Sequence, residues 1–177
     1  MTKIAVLVGS LSKASINKNL ANRLAALAPE GVEFAFADLD LPLFNYDLEG
    51  DFPVKAQELK DLIESADGVL FVTPEYNRSF SGVLKNAIDW ASRPWGSNSF
   101  DGKPAGIVGA SPSPLGTTQA QQQLRNVVVY LGMKLLGQPE LYVDATRAFN
   151  EDGSVAEGAQ GLFQGYVDTL LAHVQKG

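Results

Sequence analysis

Gly68-Val69-Leu70-Phe71-Val72 followed by Thr73-Pro74-Glu75-Tyr76-Asn77 reads as a strand that ends in a rigid polar turn. The first five residues are of strand length and apolar, as in strands covered on both faces of a sheet. Pro74 restricts Thr73 to extended backbone and fixes its own φ. Tyr76 offers an aromatic ring, and Asn77 offers a hydrogen-bond donor and an acceptor. A flat heteroaromatic ring such as flavin suits this turn, although a plain strand-to-helix connection is the alternative.

Apolar runs alternate with amphipathic stretches along the rest of the chain. We predict further strands at 4–8, 32–37, 104–110 and 141–143, and helices at 17–28, 54–65, 82–91, 118–131 and 154–174. Asn17 is the expected cap of the first helix, and Ser154 with Glu157 has capping-box spacing at the last. This alternation predicts a three-layer α/β/α sandwich with a five-stranded parallel sheet, formed by residues 1–177 as one domain.

The composition excludes several classes of chemistry. The chain has 177 residues, a formal net charge of −6 and no cysteine, which excludes disulfides, thiolate metal sites and cysteine nucleophiles. The acidic balance argues against a nucleic-acid partner. The apolar run Ile4–Val8 is too short to span a membrane, so we expect a cytoplasmic protein without a membrane partner. The single histidine, His173, argues against a zinc site.

The turn after the first strand has the composition of a phosphate-binding loop. Its side chains offer three hydroxyls and one carboxamide, from Ser10, Ser12, Ser15 and Asn17. Backbone N–H groups at a helix start favour an anion, and Lys13 and Lys18 add positive charge nearby. The turn has neither the G-x-G-x-x-G of a dinucleotide fold nor a Walker G-K-[ST]. We therefore expect a mononucleotide phosphate here, with a merely well-capped first helix as the alternative.

A third polar turn, Ser111 to Thr117, follows the fourth strand. Its two prolines and one glycine hold it open, so that its N–H groups can face a ligand. Ligands of parallel sheets bind outside the carboxyl ends of the strands, where all three turns are expected to lie. A surface loop that leads into a capped helix is the alternative for this segment.

Three segments together resemble the NADPH-dependent FMN reductase family, and within it the bacterial chromate and quinone reductases: Gly9–Asn17, Pro74–Asn77 and Gly82–Trp90. The resemblance covers nearly the whole chain in order and spacing. It implies a flavodoxin-like fold that binds FMN. The implied phosphate contacts are Ser10, Ser15, Ile16 and Asn17. The implied contacts of the flavin ring are Pro74, Glu75, Tyr76, Asn77 and Ser111.

Two positions depart from the family pattern. The family usually carries an arginine where this chain has Ser12, which can give a phosphate one neutral hydrogen bond, and Lys13 or Arg78 is the candidate replacement cation. Phe80-Ser81 stands where relatives often have an apolar residue and a proline, which changes the entry to the third helix.

The resemblance implies an NAD(P)H oxidoreductase, with NADPH or NADH as co-substrate. Hydride passes through flavin N5 to a small acceptor such as a quinone, chromate, an azo compound or free flavin, and no protein acid or base is required. A flavodoxin-type electron carrier and a non-catalytic flavin-binding domain are the alternatives. A homodimer or homotetramer is also implied. Trp90, Trp95 and residues 127–130 give the third and fourth helices more apolar surface than one sheet face covers.

Overall fold

The computed structural model describes residues 1–177 and contains one parallel sheet between two layers of helices. The strands are β1 (Thr2–Val8), β2 (Val32–Phe36), β3 (Gly68–Val72), β4 (Pro104–Ser111), β5 (Lys134–Leu135) and β6 (Leu141–Asp144). The helices are α1 (Ile16–Ala25), α2 (Val54–Ser65), α3 (Gly82–Ala91), α4 (Thr118–Tyr130), α5 (Ala145–Ala148) and α6 (Glu157–Lys176), with a 3-10 turn at Tyr46–Leu48. The predicted α/β/α sandwich is confirmed.

The sheet has the strand order β2-β1-β3-β4-β5, and every pair is parallel. This is the flavodoxin-like order, whose switch point lies between β1 and β3. β5 pairs with residues 104–105 of β4, and β6 pairs with residues 108–111. The fifth position of the sheet is therefore filled by two short segments, of which the sequence predicts only the second.

Alternate residues of each strand face opposite helical layers. Ile4 and Val6 pack in one core with α1 and α6, whereas Ala5 and Leu7 pack in the other with α2, α3 and α4. Because both faces are covered, the strands need apolar side chains at every position, which explains the uninterrupted apolar runs. No helix of this chain combines the length and the apolar character that crossing a membrane requires.

Both predicted helix caps are wrong. Helix α1 begins one residue earlier than expected, and its cap is Ser15, whose Oγ accepts a hydrogen bond of 3.1 Å from the N–H of Lys18. Helix α6 begins at Glu157 after Ala156. The Ser154 hydroxyl instead donates to the Asp152 carboxylate at 2.6 Å inside the preceding turn. In this hairpin-like turn a nearer acceptor competes successfully for the serine side chain.

Trp90 does not belong to the surface where the sequence places it, because the loop before α2 folds back over α3. Its indole N–H donates to the carbonyl of Pro42 at 2.8 Å, and its ring meets Phe44 and Phe52 edge-on at 5.1 and 5.0 Å. Asn86, one helical turn earlier, also binds this loop, accepting from the N–H of Phe44 at 2.7 Å. The Asn86–Trp90 pair therefore holds the loop to the helix.

Candidate functional site

The three polar turns meet at the carboxyl ends of β1, β3 and β4. Backbone hydrogen bonds join them, from Gly9 N to Val72 O at 2.8 Å and from Thr73 N to Val108 O at 3.0 Å. Between them lies a cavity of about 200 Å³, lined by Ser10, Ser12, Ala14, Ser15, Ile16, Asn17, Pro74, Glu75, Tyr76, Ala110, Ser111 and Pro112. Of the site residues expected from the sequence, only Asn77 is absent from the lining.

The turn after β1 presents a run of free donors. The N–H groups of residues 11–17 have no acceptor within the protein, and neither hydroxyl of Ser10 or Ser12 is hydrogen-bonded to it. Helix α1 carries no acidic residue in its first turn, so the positive end of its dipole is not neutralised. These are the features that a phosphate group requires.

The side chain of Asn17 is already occupied. Its Oδ1 accepts from the N–H of Ala110 and its Nδ2 donates to the carbonyl of Ala110, both at 2.9 Å. The residue is 3% exposed. Asn17 therefore offers a ligand chiefly its backbone N–H, whereas its carboxamide joins the first turn of α1 to the end of β4.

Residues 73–79, here called the 73–79 segment, form a rigid ledge. The hydroxyl of Thr73 donates to the carbonyl of Pro74 at 2.7 Å. Tyr76 and Ser79 exchange two backbone hydrogen bonds of 3.0 Å, so Asn77 and Arg78 form a two-residue turn with φ of 52° and 67°. Neither residue is a glycine, so the left-handed backbone conformation costs energy at both. Such a conformation persists only when the surrounding structure holds it. Tyr76 lines the cavity, and Asn77 does not.

Glu75 lines the cavity but directs its carboxylate at helix α4. Its Oε2 accepts from the N–H groups of Gln119 and Ala120 at 3.0 and 3.1 Å. The sequence gives no sign of this contact, because its partners lie 44 and 45 residues away.

The turn after β4 is also fixed internally. The Ser111 hydroxyl donates to the carbonyl of Gly116 at 2.6 Å. Gly116 has a φ of +56°, and a Cβ there would lie 2.8 Å from the backbone of Tyr142. Only glycine suits this position, so Ser111 is held at the cavity wall by a turn that tolerates no side chain.

No lysine or arginine lines the cavity itself. Lys13 and Lys18 line an adjoining groove of about 760 Å³, which shares four lining residues with the cavity: Ala14, Ser15, Ile16 and Pro112. The other candidate cation, Arg78, lies 3.8 Å from the carboxylate of Glu75. That Lys13 replaces the family's arginine as the cation beside the phosphate stays a prediction. Its position in the adjoining groove favours it over Arg78.

The residues present fit FMN. Free N–H groups and serine hydroxyls suit its phosphate, and a proline-stiffened segment with an aromatic side chain suits its planar ring. The cavity also includes Ala14, Ala110 and Pro112, which the sequence did not single out. Their residue types give no indication of a binding role. They line the cavity because they lie in, or next to, the polar turns.

A flavodoxin-like sheet with free N–H groups and an aromatic side chain at its switch point is typical of the flavin-binding α/β proteins. Residues 2–148 match the model of the NADPH-dependent FMN reductase family, and the chain belongs to that family. The resemblance inferred from the three sequence segments is thereby confirmed.

Individual relatives agree with this assignment. The chain is 48% identical over 176 residues to a 2-hydroxy-1,4-benzoquinone reductase from a Burkholderia species, covering 98% of this chain and 96% of that protein. It is 39% identical over 175 residues to a quinone reductase from Pseudomonas putida, covering 97% and 94%. The solved structure of FerB from Paracoccus denitrificans, a flavoenzyme NAD(P)H:(acceptor) oxidoreductase, superposes with a TM-score of 0.94 at 44% identity, covering 99% of this chain and 98% of that one.

Proposed function

We propose that the protein is an FMN-dependent NAD(P)H oxidoreductase that reduces quinones. The observation that carries this proposal is the single cavity that joins the free N–H groups of residues 11–17 to the 73–79 segment. Membership of the NADPH-dependent FMN reductase family supports the cofactor and the hydride donor. The names of the two quinone reductases among the relatives support the acceptor. Reduction of chromate, azo compounds or free flavin stays a prediction from the sequence.

The role proposed for the chain's own residues is to bind FMN and to orient it. The N–H groups of residues 11–17 and the hydroxyls of Ser10 and Ser12 would hold the phosphate, and the 73–79 segment with Ser111 would hold the ring. Bound FMN supplies a carrier that takes a hydride from a nicotinamide and delivers the electron pair to the next substrate. Reduction of a quinone to a hydroquinone by one hydride also consumes one proton, which solvent would supply.

The test is an anaerobic absorption spectrum of the FMN-loaded protein. We expect NADPH or NADH to bleach the flavin band and benzoquinone to restore it. A protein that neither nucleotide bleaches is a flavodoxin-type carrier, which exchanges single electrons with protein partners, or a non-catalytic flavin-binding domain. A protein that is bleached but not reoxidised by benzoquinone uses another acceptor. Chromatography of the flavin released on denaturation distinguishes FMN from FAD.

We also infer that the face between α3 and α4 contacts a second copy of this chain. A groove of about 610 Å³ runs between the two helices. Trp95 and Tyr130 line it and are 76% and 77% exposed, although such large side chains are usually covered. The guanidinium of Arg93 lies 5.5 Å from the Trp95 ring centroid, within the range of a cation–π contact. A homodimer through this face is the simplest assembly, and a tetramer and a cytoplasmic location stay predictions.

A further inference from the structure

Helix α4 has no cap of its own. Thr117 occupies the cap position but makes no side-chain hydrogen bond to the first turn. Its buried hydroxyl instead accepts from the carboxamide of Gln121 at 3.0 Å. A helix start leaves its first N–H groups without partners unless something else supplies them. Here Glu75 accepts from two of them, those of Gln119 and Ala120.

A second side chain ties the same helix to the same segment. Gln123 donates from Nε2 to the carbonyl of Arg78 at 2.6 Å and accepts at Oε1 from the hydroxyl of Ser79 at 2.7 Å. Helix α4 thus holds the 73–79 segment at two points, Glu75 near its start and Arg78–Ser79 at its end. Where the segment lies relative to the cavity is therefore set by α4.

The segment needs such support because it is strained. Asn77 and Arg78 both have a positive φ. An arginine adopts this backbone conformation at a higher free energy than a glycine does. Released from α4, these residues would be held only by the two backbone hydrogen bonds between Tyr76 and Ser79. Tyr76 precedes them directly and would move with them, away from the cavity that it lines.

The charge of Glu75 has an effect of its own. Helix α1 also begins at this edge of the sheet, with free N–H groups and no acid in its first turn. At α4 the carboxylate satisfies the N–H groups and neutralises the positive end of the dipole. The start of α4 is therefore neutralised within the protein, whereas the start of α1 is not.

We propose that Glu75 is a positioning residue for the flavin, acting through the N-terminus of α4 to fix the 73–79 segment. The inference rests on the proposed function, since it takes FMN as the ligand. In this proposal the Glu75 side chain binds α4, whereas the backbone of the 73–79 segment and the Tyr76 side chain contact the flavin ring. Affinity for the ring, rather than for the phosphate, then depends on this carboxylate.

The experiment compares the parent apoprotein with Glu75→Ala, Glu75→Gln and Gln123→Ala. Titration with FMN and with riboflavin, followed by quenching of flavin fluorescence, gives the two affinities. We expect Glu75→Ala to weaken both by the same factor, about ten- to a hundredfold, because binding must then order a segment that two hydrogen bonds to a charged group no longer hold. Glu75→Gln keeps an acceptor oxygen and recovers part of the loss. Gln123→Ala, on the exposed side of α4, weakens both ligands by a smaller common factor.

Asp144→Ala is the matched control. Asp144 accepts from the N–H of Thr146 at 3.0 Å at the start of α5, and it has an arginine three residues later, as Glu75 does. Both carboxylate side chains are 13% exposed, but Asp144 does not line the cavity. This variant should lower the midpoint of thermal unfolding and leave both affinities unchanged.

Three outcomes would overturn the inference. One is unchanged flavin affinity in Glu75→Ala, and another is a Glu75→Gln variant as weak as Glu75→Ala, since the charge and not the tie to α4 would then act. The third is a loss of FMN affinity with riboflavin affinity intact. A parent protein that binds neither flavin contradicts the proposed function instead. If Glu75→Ala does not fold, Gln123→Ala decides the question by the same comparison.

Discussion

The carboxamide of Asn17 and the backbone of Ala110 exchange two hydrogen bonds of 2.9 Å. Ala110 lies near the end of β4, beyond the last residue of β4 that pairs with β3, Val108. A side chain from α1 thus takes the place that a neighbouring strand would otherwise fill. Both residues line the cavity, and their pairing fixes the turn after β1 relative to the turn after β4.

Replacing Asn17 by alanine should lower both stability and flavin affinity. It leaves the N–H and carbonyl of Ala110 buried and unpaired, which costs about 1–3 kcal/mol. FMN and riboflavin should weaken by the same factor, because the side chain acts through the pairing. Urea unfolding and flavin titration measure the two effects. Asn19→Ala, in the same helix, is the control, and a loss confined to FMN would show that the Asn17 side chain contacts the phosphate directly.

Ser12→Arg should tighten FMN binding. The Ser12 hydroxyl is free and lines a cavity that no cation lines, whereas an arginine can bind a phosphate with two parallel hydrogen bonds. At this exposed position we expect a gain of about three- to tenfold. Isothermal titration of the apoprotein at low and high salt should show the gain shrinking as salt rises.

Riboflavin is the internal control for Ser12→Arg, because it has no phosphate and should bind the parent and the variant equally. Turnover at saturating FMN should also stay the same, since the phosphate is bound alike in both redox states. Unchanged or weaker FMN affinity would mean that another cation already neutralises the phosphate. Lys13→Ala in the parent background would then identify it.

The groove between α3 and α4 predicts the effect of charge on assembly. Combining Trp95→Asp with Tyr130→Asp places two carboxylates on the face inferred to be covered, and buried unpaired charge is costly. Light scattering should give a multiple of 18.9 kDa for the parent and 18.9 kDa for the variant. Leu43→Asp, at a position 82% exposed and outside the groove, should keep the parent mass. A parent that is monomeric at all concentrations would contradict the inferred interface.

Tyr166 should make the protein less stable in alkali. Burial raises the pKa of its hydroxyl well above the usual 10.0, and the hydroxyl donates to the carbonyl of Ile107 at 3.2 Å. Above about pH 10 the unfolded chain loses this proton and the folded chain keeps it, so the free energy of unfolding falls as pH rises. Below that pH the contribution is fully present.

The measurement for Tyr166 is urea unfolding at about pH 8 and about pH 11. Tyr166→Phe should cost about 1 kcal/mol at the lower pH for the lost hydrogen bond, and should lose stability less steeply between the two. Tyr46→Phe, at an exposed tyrosine, should follow the parent. Equal slopes in all three proteins would mean that the Tyr166 hydroxyl ionises in the folded state.

The periodicity of apolar residues, with the Gly and Pro residues between the segments, was enough to predict most elements of the fold. The bounds of α2, β3 and α3 agree with the structure because their apolar patterns are regular and Gly or Pro lies beside them. The pair Lys134–Leu135 was missed as a strand, since two residues carry no period. Its strand character comes from β4, which supplies the hydrogen-bonding edge.

The sequence predicted that nine of the residues lining the cavity lie together, and it did not single out Ala14, Ala110 and Pro112. Their role in binding FMN stays a prediction. Which of their atoms remain free depends on contacts between distant segments. The carboxamide of Asn17 is hydrogen-bonded to Ala110, and the carboxylate of Glu75 is hydrogen-bonded to the start of α4. The loop before α2 covers Trp90. Each partner lies more than 40 residues away in the sequence, so no local pattern reveals it.

If the free N–H groups of residues 11–17 hold the phosphate of FMN, as proposed, the stability of this chain will depend on the supply of flavin. A ligand that binds only the folded state, present at a hundred times its Kd, adds about 2.7 kcal/mol. That is a large share of the roughly 5–15 kcal/mol by which a domain is stable at all. In a cell short of riboflavin the chain would open more often and be degraded sooner. The amount of enzyme would then follow the flavin supply without any change in its synthesis.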